Sequence, residues 1–258
     1  MTEDVMKEIF QRLNSLGACM SLADVSAWAL ANDVDEHCLQ STAKLLEEAG
    51  RLDAERRALG LRAKSRIPQT SPKTFDNFST DRLSNEDRRK LLALRTLSFI
   101  PAGRGLMVVG GDWTGKTHLV QAIGNECCDH GYRTLYLTGA DLKARMDKAD
   151  SKGTTERLIH TLSNYACLIV DSIDKERFSA RQTYIFYRLV DRRVSSCTPG
   201  SMVIASSLDL DLLAGNFEDT NKYVALMDRI TCSFTCYVLQ GKSYSGKTKE
   251  IVPLKLIG

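Results

Sequence analysis

Eight residues, Gly110-Gly111-Asp112-Trp113-Thr114-Gly115-Lys116-Thr117, spell the pattern G-x-x-x-x-G-K-[ST]. The apolar run Leu106-Met107-Val108-Val109 leads into them, and a helical pattern starts at His118. This order constrains the fold more than any bulk property. A buried strand must end abruptly, the loop must curl its backbone N–H groups inward, and the next helix must point its positive end at whatever they enclose. Such a hollow suits a polyphosphate. Lys116 would reach the terminal phosphates, the Thr117 hydroxyl would hold Mg²⁺, and the stretch from Gly110 through His118 would form the cradle. The plainer alternative is a glycine turn with a surface lysine, and the flanking strand and helix argue against it. The pattern implies a nucleoside triphosphate site, present or ancestral.

The 258 residues allow one large domain, or a medium and a small one. A net charge of +3 is too small to argue for nucleic acid by itself. The eight cysteines (19, 38, 127, 128, 167, 197, 232 and 236) lack the setting of a disulfide scaffold. Cys167 lies in the apolar run CLIV and Cys127-Cys128 within a helical pattern, which marks them as small core residues. Cys232 and Cys236 have no second pair or nearby histidine at zinc spacing. MTEDVMKEIF is unlike a signal peptide, and no apolar run approaches the ~20 residues of a membrane span. A reduced, cytoplasmic protein without membrane contact is expected.

Residues 1–66 carry helical periodicity: Val5, Ile9, Leu13 and Leu16, then Leu39, Ala43, Leu46 and Ala49, ending near Gly50. A charged amphipathic helix continues over Arg51–Leu59. Its basic end (Arg51, Arg56, Arg57, Arg62, Lys64, Arg66) reads either as a solvated face partly balanced by Asp53 and Glu55, or as a surface for DNA or a partner. Residues 67–83 form a linker rich in Pro, Ser and Thr, with Phe75 and Phe78 expected to dock on the next domain. That domain, 84–258, opens with a helix over Ser84–Phe99 burying Leu91, Leu92, Leu94 and Leu97. Short apolar runs then alternate with helical stretches. The runs are Leu106–Val109, Thr134–Leu137, Leu168–Val170, Met202–Ala205 and Cys236–Leu239; the helices fit His118–Gly131, Asp141–Lys148, Thr155–Ser163, Ala180–Ser195 and Tyr223–Ile230. This is the pattern of a three-layer α/β domain with a parallel sheet.

The phosphate loop needs a second acidic element for Mg²⁺, and Cys167-Leu168-Ile169-Val170-Asp171 supplies one. Asp171, at the C-terminal end of its strand, would sit where ligands of open parallel sheets collect. A helix cap is the alternative role for such a carboxylate. Hydrolysis further asks for a base, a polar sensor and a cation. The next residue is Ser172, which can hydrogen-bond a water but cannot take its proton near neutral pH. Asp174 and Glu176 follow off the strand. Ser206 and Ser207 end the next strand, where a sensor would stand. Arg229, in Met227-Asp228-Arg229-Ile230, is a candidate for a cation supplied to a neighbouring subunit, or an ordinary surface ion-pair partner.

KTFDNFS, GGDWTGKTHLVQAIGNE, GYRTLYLTGADL, CLIVDS and MDRI together resemble the IstB/DnaC-type branch of AAA+ ATPases, the P-loop NTPases that assist insertion-sequence transposition or load replicative helicases. The resemblance is firm over residues 75–240 and looser before them. It implies ATP and Mg²⁺ at Lys116, Thr117 and Asp171, a sensor at Ser206 or Ser207, and DNA-bound homo-oligomers with Arg229 at the junction. It also implies a helical N-terminal region and no full C-terminal lid. Two positions depart from the family: Trp113 stands where glycine is usual, and Ser172 where a second acid is usual.

The leading expectation is an ATP-controlled, DNA-associated protein assisting a transposase in choosing target DNA, contacting the DNA backbone largely without regard to sequence. Hydrolysis should be weak because of Ser172. A helicase loader is the alternative within the same fold, and a non-hydrolysing ATP-switched interaction module the alternative outside it. A metabolite kinase ranks lower, since no acceptor site or arginine-rich lid is evident.

Overall fold

The computed structural model describes residues 2–80, 85–195 and 200–239. Cys197, the beginning of the linker-to-helix transition at 81–84, and the chain from 240 on, where a lid would be sought, lie outside the described residues. By its internal contacts the chain divides into Met1–Gly60 and Leu61–Gly258.

The first unit holds α1 (Thr2–Ser15), α2 (Leu22–Ala31) and most of α3 (Glu36–Ser65). Ile9, Val25, Ala29, Leu39 and Ala43 form its core. Ser21 and Asp24 start α2 with a reciprocal cap: the Ser21 hydroxyl accepts the Asp24 N–H, and the Asp24 carboxylate accepts the Ser21 N–H. Gly50 does not end a helix as expected, because α3 runs through it to Ser65. One interior glycine costs only about 1 kcal/mol, and the good helix formers around it outweigh that. The basic end of α3 is largely neutralised within the chain. Arg51 pairs with Glu48 and Glu55, Arg57 with Asp53, Arg62 with Asp129 and Arg66 with Asp141.

The second unit follows with α4 (Asn85–Arg95), β1 (Gly105–Val109), α5 (Lys116–Asp129), β2 (Thr134–Thr138), α6 (Gly139–Ser151), α7 (Thr155–Ser163) and β3 (Cys167–Asp171). Then come α8 (Ala180–Val194), β4 (Ser201–Ser206), α9 (Leu210–Leu213), α10 (Thr220–Ser233) and β5 (Phe234–Val238). The five strands form one parallel sheet in the order β2-β3-β4-β1-β5. Helices cover both faces, so β1, β3 and β4 are buried along their whole length and read as unbroken apolar runs. Alternation shows in what each residue meets. Leu106, Val108, Ile169, Val203 and Ala205 face the layer of α4 and α5, whereas Met107, Val109, Val170, Met202 and Ile204 face that of α6, α7, α8 and α10. The expected three-layer parallel domain is what forms.

Phe75 and Phe78 are buried in the α5-side core together with Ile67. Leu91, Leu94 and Leu97 are buried too, but Leu92 is 62% exposed, contrary to expectation. At 100° per residue it sits a quarter-turn off the stripe made by Leu91 and Leu94, and α4 ends at Arg95 rather than Phe99. On the other face Arg193, near the end of α8, donates to the carbonyls of Leu162, Ser163, Tyr165 and Ser201, tying the end of α7 and the turn after it to the start of β4. Burial pushes its guanidinium pKa down to about 10.

Candidate functional site

Loops leaving the C-terminal ends of β1, β3 and β4 converge, because the strand order places β4 between β1 and β3. After β1 the chain must turn at once. A Cβ at Gly110 would lie 2.7 Å from the Leu239 carbonyl oxygen and 2.9 Å from Thr114 Oγ1, so only glycine fits. Thr114 Oγ1 donates to the Gly111 carbonyl at 2.9 Å and closes the loop on itself. Gly115 takes φ +98 and starts α5 with no side-chain cap. The first helical bond runs from the Leu119 N–H to the Gly115 carbonyl, so the N–H groups of Lys116, Thr117 and His118 have no intrahelical partner. That is the donor set an anion requires.

Lys116 is only 7% exposed, and its ammonium donates to the Gly111 carbonyl at 2.7 Å. Burial pushes its pKa down, opposed by the charges of Asp112 and Asp174. Among the described residues no carboxylate lies within ion-pair distance of it, which leaves a buried cation for a ligand to neutralise. Thr117 is exposed beside it. Trp113 holds a left-handed backbone, φ 65, and its side chain is 70% exposed. The His118 imidazole has another occupation. Its Nε2 meets the Thr74 carbonyl at 3.1 Å and Asn77 Oδ1 at 2.8 Å, and its ring stands edge-on to Phe78. Both partners accept, so Nε2 carries the proton. His118 therefore clamps the 74–78 segment onto α5 with its side chain, and what it presents to the cradle is its backbone N–H.

Asp171, at the end of β3, is buried. Its Oδ2 accepts from the Tyr136 hydroxyl at 2.7 Å, and Gln121 Nε2 donates to that hydroxyl at 3.3 Å. Burial, and then the adjacent Asp171 charge, raise the Tyr136 pKa, so the phenol stays a donor. Ser172 Oγ reaches Asp171 Oδ1 at 3.3 Å, from a residue with φ 56.

The two candidate sensor serines part company. Ser206 Oγ donates to the Leu208 carbonyl at 2.6 Å and accepts the Leu208 N–H at 3.0 Å, so this buried hydroxyl closes a local turn. Ser207 Oγ donates to Asp112 Oδ1 at 2.8 Å, reaching the phosphate loop, while its N–H donates to Asp174 Oδ1 at 2.9 Å. Lys175 joins the same group, 3.2 Å from Asp112 Oδ1 and 3.3 Å from Asp174 Oδ2. Arg229 is not among these residues. It lies on α10, where its Nε is 2.9 Å from Asp191 Oδ1 of α8. Sequence reasoning missed Tyr136, Gln121 and Lys175, whose roles depend on strand register and on which loops meet. The DKE run after Ser172 was the one visible signal for Lys175.

Residues 16–251 match the family described as IstB-like ATP binding protein. The chain is 26% identical over 179 residues to the protein named for ATP binding in insertion sequence IS5376 of Geobacillus stearothermophilus, covering 69% of this chain and 70% of that one. It is 33% identical over 142 residues to the replicative helicase loader DnaC of Buchnera aphidicola subsp. Acyrthosiphon pisum, covering 53% of this chain and 56% of the loader. A crystal structure of the DnaC helicase loader superposes with a TM-score of 0.52 at 21% identity, over 65% of this chain and 97% of that one.

Proposed function

This chain belongs to the family of IstB-like ATP-binding proteins, and from that premise we propose that it is an ATP-controlled, DNA-associated assistant of a transposase. One observation carries the nucleotide part: the uncapped start of α5 beside a buried Lys116 with no carboxylate partner among the described residues. The backbone N–H groups of 116–118 and the Lys116 ammonium hold the phosphates. Thr117 and Asp171 would hold Mg²⁺, which would neutralise phosphate charge when bound. Tyr136, with Gln121 behind it, fixes the Asp171 carboxylate. Ser207, rather than Ser206, is the polar group offered to the terminal phosphate, since its hydroxyl already lies at the loop.

With Ser172 in place of an acid, water is oriented rather than deprotonated, so intrinsic hydrolysis is slow and bound ATP acts mainly as an assembly signal. That residue favours the second reading, a switch that does not hydrolyse at all. In the proposed assembly, chains stack on the DNA backbone with Arg229 at the junction, exchanging its contact with Asp191 for the neighbour's nucleotide.

The test is phosphate release with and without DNA, alongside sizing with a non-hydrolysable ATP analogue and DNA binding across a salt series. Expected are slow turnover, larger species only with the analogue, and affinity that falls steeply with salt, by a log–log slope of about −0.9 per phosphate contacted. No DNA binding in the presence of the analogue would leave a protein-only module.

A further inference from the structure

Asp112 is an unusual tenant for a loop whose other groups are arranged to attract an anion. Its side chain is 63% exposed at the mouth of the hollow, yet one oxygen, Oδ1, accepts from both Ser207 Oγ (2.8 Å) and Lys175 Nζ (3.2 Å). Those two hydrogen bonds, Ser207's first, hold the Asp112 carboxyl below its usual pKa, so it is charged at neutral pH. Neither donor belongs to the loop after β1: Ser207 follows β4 and Lys175 follows β3. A second carboxylate, Asp174, has a side chain only 2% exposed. It holds the Ser207 N–H at 2.9 Å and the Lys175 ammonium at 3.3 Å, and so fixes where both donors stand. Burial lowers the Lys175 pKa, but Asp112 and Asp174 overcome it and raise it, so Lys175 is a firm cation. The arrangement is a rigid base, Asp174, presenting a hydroxyl and a cation to a single exposed anionic oxygen carried by the phosphate loop.

We propose that Asp112 is a built-in stand-in for the terminal phosphate of ATP, holding Ser207 and Lys175 until ATP takes them over, and that Lys175 is the cation by which this chain distinguishes a triphosphate from a diphosphate. The inference rests on the nucleotide reading of the loop. A terminal phosphoryl group offers three acceptor oxygens and more charge than one carboxylate, so transfer of both donors to it is favourable. A diphosphate offers no acceptor at that position, and the Asp112 contacts persist beside it.

The experiment is calorimetric titration of the full chain with ATP and with ADP, in Mg²⁺ buffer, for the wild type, Asp112→Asn, Lys175→Ala, the double variant and Lys175→Arg. Asp112→Asn keeps the size of the side chain and removes its charge, and it should raise ATP affinity about fivefold, the worth of a partly exposed ion pair, while ADP affinity changes much less. Lys175→Ala should lower ATP affinity by a similar factor without affecting ADP, and Lys175→Arg should retain most of the wild-type preference. In the double variant the gain from Asp112→Asn should vanish, because there is no cation left to release. An equal gain for ATP and ADP, or a gain that survives Lys175→Ala, would overturn the proposal and mean that Asp112 merely repels phosphate. Lys116→Ala in the same assay separates the two layers. If it loses both nucleotides, the loop reading stands whatever Asp112 does; if it binds both as the wild type does, the loop reading fails and the stand-in fails with it.

Discussion

Trp113 and Ser172, the two residues that depart from the resembled family, share an uncommon backbone: both are left-handed, with φ 65 and φ 56. A side chain there costs about 1 kcal/mol that glycine does not, so the departure at Trp113 replaces a residue the backbone prefers. At position 172 the same geometry ranks the possible acids. Aspartate tolerates left-handed backbone better than most residues, because its short side chain can bond locally, whereas glutamate lacks that advantage. Ser172→Asp should therefore raise ATP turnover by on the order of 10²-fold, at the lower end of what a positioned base contributes, and Ser172→Glu should raise it less. Phosphate release measured at saturating ATP decides the matter. No increase in either variant would mean that Ser207 and Arg229 do not complete a hydrolytic site. Lys116, Thr117 and Asp171 were legible as residues because their chemistry is carried by local pattern. Tyr136 was not, since nothing near Thr134-Leu135-Tyr136 announces that β2 pairs with β3 and brings a phenol to the Asp171 carboxylate.

Among the elements, those buried on both faces were the most legible. The apolar runs of β1, β3 and β4 could be read within a residue or two, because two-sided burial leaves no polar position to blur them. Elements governed by a local exception were read less well, such as α3 running through Gly50, or α4 stopping short of Leu97 with its φ of 53. Arg193 belongs to the same class. In sequence it is one of two adjacent arginines near a helix end, yet in the fold it satisfies four carbonyls at the end of α7, in the turn after it and at the start of β4. Arg193→Ala would leave those carbonyls unpaired in a buried place and open a cavity, for an expected loss of about 3 kcal/mol. Urea unfolding should show it as a lower midpoint, whereas Arg192→Ala, one position along the same helix and more exposed, should shift the midpoint little. Equal midpoints for the two variants would remove the structural role given to Arg193.

Across the whole molecule, the proposed assembly asks one residue to serve two partners. Arg229 is half-exposed and pairs with Asp191 in its own chain, a contact worth under about 1 kcal/mol, so freeing it costs little. Arg229→Ala should consequently fold as the wild type does and bind ATP, yet lose turnover and the ATP-dependent larger species. Mixing it with Lys116→Ala chains should restore part of the activity, since each variant supplies what the other lacks at a shared junction. No restoration would confine the arginine to its own chain. The two tryptophans of the sequence fall one in each unit, Trp28 within Met1–Gly60 and Trp113 within Leu61–Gly258. Both are open to solvent, and Trp113 rides on the phosphate loop itself. The chain thus carries its own pair of optical labels: in a Trp28→Phe background the remaining indole emission reports the loop alone, and in a Trp113→Phe background it reports the helical unit, so the melting of each half and the arrival of nucleotide can be watched separately without attaching a dye.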